Sequence, residues 1–327
     1  MRTSALNQKR NPRIALIVPC YNEEAVIARV INDFQKAISS VDVFVFNNNS
    51  TDRTAEVALA AGARVVNVDL KGKGNVVRRM FADVEADIYI MVDGDATYDA
   101  KSAPSLLDKI ICENLDMVVG CRVDQGVDAN YRGGHRFGNR LLTGSVRLIF
   151  GGQFTDMLSG YRAFSRRYVK SFPALATGFE IETELTVHAL ELRMPYGEVK
   201  TPYGARPEGS ESKLSTYRDG FRILKIIMRL YMAERPLQFF SILGALLAGA
   251  SIAFAVPIFL EYFATGLVPR LPTAVLTTGL MLSALLAFVC GLLLDTVTRG
   301  RHEVRRLAYL SIPGVNQLHD EGTRLGR

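Results

Sequence analysis

Two acidic residues on either side of a glycine form the pattern with the most specific chemistry in this sequence. Asp93-Gly94-Asp95 directly follows the apolar run Ile88–Val92. In an extended chain, residues two positions apart point to the same side, and carboxylate oxygens are ligands that Mg²⁺ prefers. The pattern therefore indicates a divalent-cation site at the end of a strand, although an acidic loop without a metal has the same composition.

A second pattern combines flexible backbone with positive charge. The segment Lys71–Gly74 reads Lys-Gly-Lys-Gly and opens a helical stretch. Cations at the start of a helix suit phosphate oxygens, although lysine–glycine turns are also common on protein surfaces. The segment matches neither G-x-x-x-x-G-K-[ST] nor G-x-G-x-x-G, so ATP hydrolysis and dinucleotide redox chemistry lose their main support.

The elements that must position these residues alternate between strands and helices from residue 14 to residue 120. This alternation predicts an α/β fold with a doubly wound, mostly parallel sheet, in which ligands bind beyond the carboxyl ends of the strands. The predicted strands are Ile14–Val18, Val41–Phe46, Arg64–Val68, Ile88–Val92 and Met117–Gly120. The predicted helices are Glu23–Ile38, Asp52–Ala61, Asn75–Val84 and Pro104–Cys112. Polar clusters follow three of the strands, at Pro19–Glu24, Asn47–Asp52 and Asp93–Asp99, so we expect one site there.

The composition divides the chain into a polar and an apolar part. Of its 327 residues, 48% are hydrophobic and 22% are charged, which excludes disordered and fibrous classes. Leu237–Leu260 and Leu271–Leu294 contain no charged residue, and each exceeds the roughly 20 residues that a helix needs to cross a bilayer. Basic residues flank this hairpin, whereas the link Glu261–Arg270 has one arginine. The positive-inside rule therefore predicts that the polar domain before the hairpin is cytoplasmic.

Charge and cysteine usage narrow the set of partners. The net charge is +6, and basic residues concentrate at 122–147 and 200–235. Next to a membrane segment, such clusters favour anionic lipid or phosphate over nucleic acid. The four scattered cysteines predict neither a disulfide framework nor a zinc site. The predicted helix Thr216–Glu234 has a basic stripe beside a broad apolar face. This pattern favours a helix that lies in the headgroup region of the membrane; the alternative is a buried helix with one solvated edge.

Several motifs occur together and in a fixed order. Pro19-Cys-Tyr-Asn-Glu-Glu24, Asn48-Asn-Ser-Thr-Asp52, Lys71–Gly74 and Asp93–Asp95 resemble the motifs of glycosyltransferase family 2. The resemblance continues through Thr155-Asp-Met-Leu-Ser-Gly-Tyr-Arg162 and Ser212-Lys-Leu-Ser-Thr-Tyr217. With two apolar spans behind these motifs, the chain is similar to the branch that contains dolichol-phosphate mannose synthase and bacterial polyprenyl-phosphate glucosyltransferases.

The resemblance implies a glycosyltransferase A-type domain and a reaction. A sugar is expected to pass, with inversion, from a nucleotide-sugar, most readily a UDP-sugar, to a polyprenyl phosphate (undecaprenyl or dolichyl) for glycan assembly. Mg²⁺ or Mn²⁺ is the implied cofactor, held by Asp95 and Asp93. The implied catalytic residues are Asp156 and Asp93. The implied nucleotide-sugar contacts are Pro19, Tyr21, Glu23, Asn48, Asp52, Lys73, Asp93 and Lys213, the last in a lid at 206–216. The implied contacts of the acceptor phosphate are Arg122, Arg136 and Arg140.

Two departures from the family pattern affect the donor side. Many relatives have Asp-Asp where this chain has Asn47-Asn48, and relatives of the mannose and glucose type often have Gln where it has Thr97. An asparagine can still hydrogen-bond a pyrimidine, because its amide both donates and accepts. These two departures therefore leave the identity of the nucleotide base and of the transferred sugar undetermined.

Other interpretations remain at this stage. One alternative is a hydroxyl acceptor on a glycolipid or polysaccharide, which would require a true base such as Asp156. Another is a scaffold without enzymatic activity, which would not require these motifs to occur together. The acidic run at 180, 182 and 184 is either a solvated helix face or, for Glu180, part of the site. His135 and His188 are interpreted as structural.

The predicted organisation has five parts in an integral membrane protein, with the bacterial inner membrane as its expected location. Small residues in the first span permit a homo-oligomer without specifying one. The parts are the catalytic domain at 1–215, the interface helix at 216–236, the two membrane helices at 237–260 and 271–294, and a cytoplasmic basic tail at 295–327.

Overall fold

The computed structural model of the chain describes residues 12–124, 143–174, 178, 180–204, 225 and 228–315. The chain divides into two compact units. The catalytic unit comprises Met1–Gly220 together with Arg305–Arg327, and the hairpin unit comprises Phe221–Val304.

A seven-stranded sheet forms the centre of the catalytic unit, in the order β3-β2-β1-β4-β6-β5-β7. Only β6 is antiparallel to its neighbours among these seven strands, so the sheet is mostly parallel, as predicted. The strands are β1 (Ile14–Cys20), β2 (Val41–Asn47), β3 (Arg64–Asn67), β4 (Ile88–Met91), β5 (Met117–Asp124), β6 (Arg162–Ser165) and β7 (Tyr196–Tyr203).

Helices cover both faces of this sheet. They are α1 (Ile27–Ala37), α2 (Thr54–Ala60), α3 (Lys73–Asp83), α4 (Ala103–Cys112), α5 (Arg166–Ser171) and α6 (Ile181–Glu191), and residues 143–150 are also helical. On one face, Ile27, Ile31 and Phe34 of α1 recur at helical spacing and are buried against the sheet, as an amphipathic helix requires. On the other face, the ring of Phe81 lies 5.7 Å from that of Phe164.

The central strands explain where a site can form. β1 and β4 are continuous apolar runs, because strands buried on both faces have no solvent side to make polar. β1 pairs with both β2 and β4, and the register places Cys20 beside Asn47. The carboxyl ends of these three strands are therefore adjacent, and the polar segments that follow them share one edge of the sheet.

The catalytic unit also includes a C-terminal segment, residues 305–315. The Tyr309 hydroxyl donates to Asp116 Oδ2 at 2.8 Å, and Val315 is buried in the core of the unit. Asp116 is fully buried, and Arg167 Nε donates to its other oxygen at 2.5 Å. Part of the region predicted from the sequence as a basic tail thus packs in the structure as a component of the catalytic unit.

The hairpin unit contains α7 (Pro236–Thr265) and most of α8 (Leu271–Leu310), which are long and apolar enough to cross a membrane. The two helices contact each other, and the Ser251 hydroxyl donates to the carbonyl oxygen of Thr277 at 2.7 Å. Both predicted spans therefore lie within helices longer than the apolar stretches themselves.

Candidate active site

Lys73 lies between two carboxylates at the start of α3. Its Nζ is 2.6 Å from Asp93 Oδ1, after β4, and 2.5 Å from Glu182 Oε1, in the first turn of α6. Burial alone would lower the pKa of Lys73, but the attraction of Asp93 and then of Glu182 outweighs it, so the pKa is raised above its ordinary value. Lys73 is therefore a permanent cation beside the first acidic residue of the Asp-Gly-Asp pattern.

Two asparagines hold the loop that leads to Lys73. The Asn48 amide donates to the carbonyl oxygens of Val68 at 3.0 Å and Leu70 at 2.8 Å, and its Oδ1 accepts from the Gly72 N–H at 2.8 Å. The Asn49 amide donates to the carbonyl oxygens of Val68 and Asp69. An aspartate at either position could not donate these bonds at neutral pH. Asn48 was predicted to contact the nucleotide, which stays a prediction, and its amide group is engaged with this loop.

Asp95, the second acidic residue of the pattern, is buried and held by its neighbour. Thr97 donates to Asp95 Oδ1 from its hydroxyl at 2.6 Å and from its backbone N–H at 3.3 Å. Thr97 therefore orients the carboxylate of Asp95. With Asp93 one glycine away, the side chains present are hard oxygen donors, and they fit a divalent cation.

Gly160 lies against the carboxylate of Asp93. A Cβ at this position would overlap Asp93 Oδ2, and the Gly160 N–H donates to the Tyr98 hydroxyl at 2.8 Å. The glycine of the Ser159-Gly160 pair thus leaves the space that the Asp93 side chain occupies. This contact brings the motif around Asp156 to the end of β4.

Asp156 and Arg122 form a two-pronged ion pair. Arg122 donates from Nε to Asp156 Oδ2 at 2.7 Å and from Nη2 to Oδ1 at 2.8 Å, and its backbone N–H donates to Oδ2 at 3.2 Å. Its guanidinium also lies 5.5 Å from the centre of the Tyr203 ring. The predicted catalytic aspartate and a predicted acceptor-binding arginine are thus direct partners. Such bidentate geometry fixes the plane of the guanidinium.

The predicted nucleoside contacts lie at the carboxyl ends of β1 and β2. Pro19 is in β1, Tyr21 is 37% exposed, and the Glu23 backbone N–H donates to the Thr54 hydroxyl at 2.8 Å. Asp52 accepts hydrogen bonds from Thr54. Burial raises the pKa of Asp52, but hydrogen bonds from Thr54 and Glu24 outweigh it and lower the pKa below its ordinary value. Asp52 is therefore ionised, and its carboxylate links the loop after β1 to the loop after β2.

Three predicted site residues lie outside the described part of the chain: Arg136, Arg140 and Lys213. One residue beside the site was missed. The acidic run at 180–184 was open to interpretation as a solvated face, and this is wrong for Glu182, which is buried. Hydrophobic periodicity could not have found it, because α6 is buried on most sides and its buried residues, among them Ile181, Leu185 and Val187, form no single stripe.

Comparison with known proteins places this geometry in a family. The profile of Glycosyl transferase family 2 matches residues 15–172. Glycosyltransferase AglJ of Haloferax volcanii is 32% identical over 304 residues, which cover 91% of this chain and 98% of that protein. The chain belongs to Glycosyl transferase family 2. A dolichyl-phosphate hexose transferase of the same organism is 28% identical over 223 residues, which cover 68% of this chain and 95% of that protein.

The fold of this chain is also similar to that of a glycosyltransferase whose structure has been solved. Glucosyl-3-phosphoglycerate synthase of Mycobacterium tuberculosis, in complex with Mn²⁺, UDP-glucose and glycerol 3-phosphate, aligns with a TM-score of 0.55 at 26% identity. The alignment covers 68% of this chain and 79% of that chain. The predicted family, the A-type fold and the glycosyltransferase class are therefore confirmed.

Proposed function

We propose that this family 2 glycosyltransferase transfers a sugar from a nucleotide-sugar, with a UDP-sugar as the expected donor, to a polyprenyl phosphate. The observation that carries the proposal is the ion pair between Asp156 and Arg122. The Asp156 carboxylate holds the Arg122 guanidinium in a fixed orientation. An arginine held in this way is suited to binding an anionic acceptor. The relative that acts on dolichyl phosphate supports the same acceptor class.

The donor is proposed to bind at the carboxyl ends of β1, β2 and β4. Pro19, Tyr21, Glu23 and Asp52 surround the nucleoside, and Lys73 faces the diphosphate together with Lys213. The complex of the mycobacterial synthase with Mn²⁺ and UDP-glucose supports both the uridine donor and a divalent cation. Asp93 and Asp95 would hold Mg²⁺ or Mn²⁺, which would neutralise charge on the diphosphate leaving group.

The acceptor phosphate is proposed to attack the anomeric carbon directly. Its oxygen forms the new bond on the face opposite the leaving group, the bond from that carbon to the diphosphate oxygen breaks, and UDP leaves, which inverts the configuration. A phosphate monoester has a second pKa of about 6, so it is already a dianion at neutral pH and needs no strong base. Asp156 orients Arg122, which binds the phosphate together with Arg136 and Arg140. Positioning then provides most of the rate enhancement.

The membrane assignment follows from the hairpin unit and its charges. Helices α7 and α8 are proposed to span the bilayer. The predicted interface helix at 216–236 stays a prediction, because its residues 216–224, 226 and 227 lie outside the described part of the chain. The arginines outside both spans support the proposal that the catalytic unit lies on the cytoplasmic face of the bacterial inner membrane. Association into a homo-oligomer is compatible with the small residues of α7.

Variants of the ion pair test this mechanism. We expect Arg122→Lys and Asp156→Asn each to raise the KM for polyprenyl phosphate by about tenfold, the effect of roughly 1.4 kcal/mol, with little change in the KM for the donor. The double variant should be no worse than the more severe single variant, because one interaction is lost in each case. Arg53→Lys, in the exposed Arg53–Glu56 pair, is the matched control.

The assay uses the full chain in detergent with Mg²⁺, polyprenyl phosphate and a panel of UDP- and GDP-sugars, and it detects the lipid product by mass spectrometry. If Asp156→Asn abolishes kcat at saturating lipid while Arg122→Lys is unaffected, Asp156 acts as a base and the proposed mechanism is refuted.

A further inference from the structure

The two carboxylates around Lys73 differ in their access to solvent. The side chain of Asp93 is 28% exposed, whereas those of Lys73 and Glu182 are 11% and 7% exposed. Asp93 therefore faces the donor side, and Glu182 lies behind the ammonium group. One cation is thus placed between an accessible carboxylate and a buried one.

Lys73 is the buried charge in this group that needs a counter-ion. Its side chain is 11% exposed, and a buried charge without a counter-ion is strongly destabilising. A ligand that engages Asp93 takes one counter-ion away from Lys73. Glu182 is then the partner that keeps the ammonium neutralised and in place.

The backbone of Glu182 is bound by a second buried cation. Arg162 is fully buried, and its Nη2 donates to the carbonyl oxygen of Glu182 at 3.1 Å. Its Nε donates to the carbonyl oxygen of Ser159 at 2.9 Å. The first turn of α6 is therefore tied to the segment that contains Gly160, the residue that leaves space for Asp93. Arg162 thus links the helix turn that carries Glu182 to the segment that lies against Asp93.

We propose that Glu182 is a positioning residue for the donor site: it holds the Lys73 ammonium in place so that Asp93 is free to engage the nucleotide. Without the Glu182 carboxylate, Lys73 and Asp93 form a one-to-one ion pair, and the donor must break it to reach Asp93. This inference rests on the proposed nucleotide-sugar donor. It predicts that Glu182 variants bind the donor more weakly because Lys73 is no longer held in place, and not because a direct contact between Glu182 and the donor is lost.

A double-mutant cycle tests the inference on the full chain in detergent. The variants are Glu182→Gln, Lys73→Met and their combination, and the probe is UDP with Mn²⁺, titrated by calorimetry. We expect Glu182→Gln to weaken UDP binding by about tenfold, which corresponds to about 1.4 kcal/mol. In the Lys73→Met background the same change should have no further effect, because its target is gone. The control Glu184→Gln removes the same charge two residues along α6 and should stay within twofold of the wild type.

Each outcome separates the inference from the proposed function. Should the wild type bind neither UDP nor GDP, the proposed donor class is refuted, and the role of Glu182 falls with it. Should the wild type bind UDP and Glu182→Gln bind it equally well, only the role of Glu182 is refuted. A full tenfold loss in the Lys73→Met background would mean that Glu182 acts independently of Lys73, which also overturns the inference. Should Glu182→Gln fail to fold, Glu182→Asp keeps the charge, and we expect a smaller loss that again disappears in the Lys73→Met background.

Discussion

Asn48 provides the sharpest test of how the loop before α3 is held. Its amide donates two hydrogen bonds to loop carbonyl oxygens, at 3.0 Å to Val68 and 2.8 Å to Leu70. Asn48→Asp removes both donated bonds with almost no change in volume. At about 1 kcal/mol per bond, the loss in the free energy of unfolding is about 2 kcal/mol. The melting temperature should then fall by roughly 4–8 °C.

The same substitution should show a characteristic pH dependence. Burial and the facing carbonyl oxygens disfavour a charged carboxylate at position 48, so its pKa in the folded variant is expected to lie above its unfolded value of about 3.9. A raised folded pKa means that stability is present at low pH and is lost as the pH rises through that pKa. The deficit of the variant relative to the wild type should therefore grow between about pH 4 and pH 7.

The assay is thermal unfolding of the full chain in detergent, followed by circular dichroism because the chain has no tryptophan, together with the KM for the donor. Because the loop leads directly to Lys73, we expect the donor KM to rise by about tenfold. Asn114→Asp, an exposed site on the same unit, is the control for the added charge. A variant at position 48 with the melting temperature and donor KM of the wild type would refute this role of the asparagine.

Three further predictions concern the same unit. Asp95→Asn should reduce transfer by at least ~100-fold in Mg²⁺ or Mn²⁺; near-normal turnover would remove Asp95 from the metal site. Gly160→Ala should raise the donor KM by about tenfold with little change in melting temperature, because its methyl group displaces the Asp93 carboxylate; an unchanged KM would contradict this. Burial, with a smaller contribution from Arg305, lowers the pKa of His188 to about 3. Stability should therefore fall as the pH drops below about 6.5, by up to about 1.4 kcal/mol per pH unit. His188→Gln should lose this part of the slope in pH-dependent unfolding; an unchanged slope would exclude His188 as its cause.

Local sequence patterns predicted the parallel half of the sheet well. β1, β2, β3 and β4 begin at the predicted residues and end within two residues of the predicted positions, because continuous apolar runs between turns leave few other structures. β6 and β7 were not predicted. Arg162–Ser165 and Tyr196–Tyr203 have mixed polar composition, and they become strands through pairing with β5. Tertiary context decides such segments.

Partnerships between distant residues were also beyond local patterns. Arg122 and Asp156 were assigned to separate roles, and only the fold brings them together as an ion pair. The basic composition near the C-terminus indicated a tail. The hydrogen bond from Tyr309 to Asp116 that ties this segment to the catalytic unit joins residues 193 positions apart, so no local pattern could reveal it. Composition and spacing identify which residues can do chemistry, whereas long-range packing decides which of them are partners.

The acceptor is the most direct test of the central claim. The full chain, with a donor sugar that it uses, is offered polyprenyl phosphate and the matching polyprenol in parallel, and the lipid products are identified by mass spectrometry. We predict a polyprenyl-phospho-sugar and no product from the alcohol, because only the phosphate is already ionised at neutral pH. Transfer to the alcohol or to a glycolipid hydroxyl, with none to the phosphate, would contradict the account and make Asp156 the base of a different reaction.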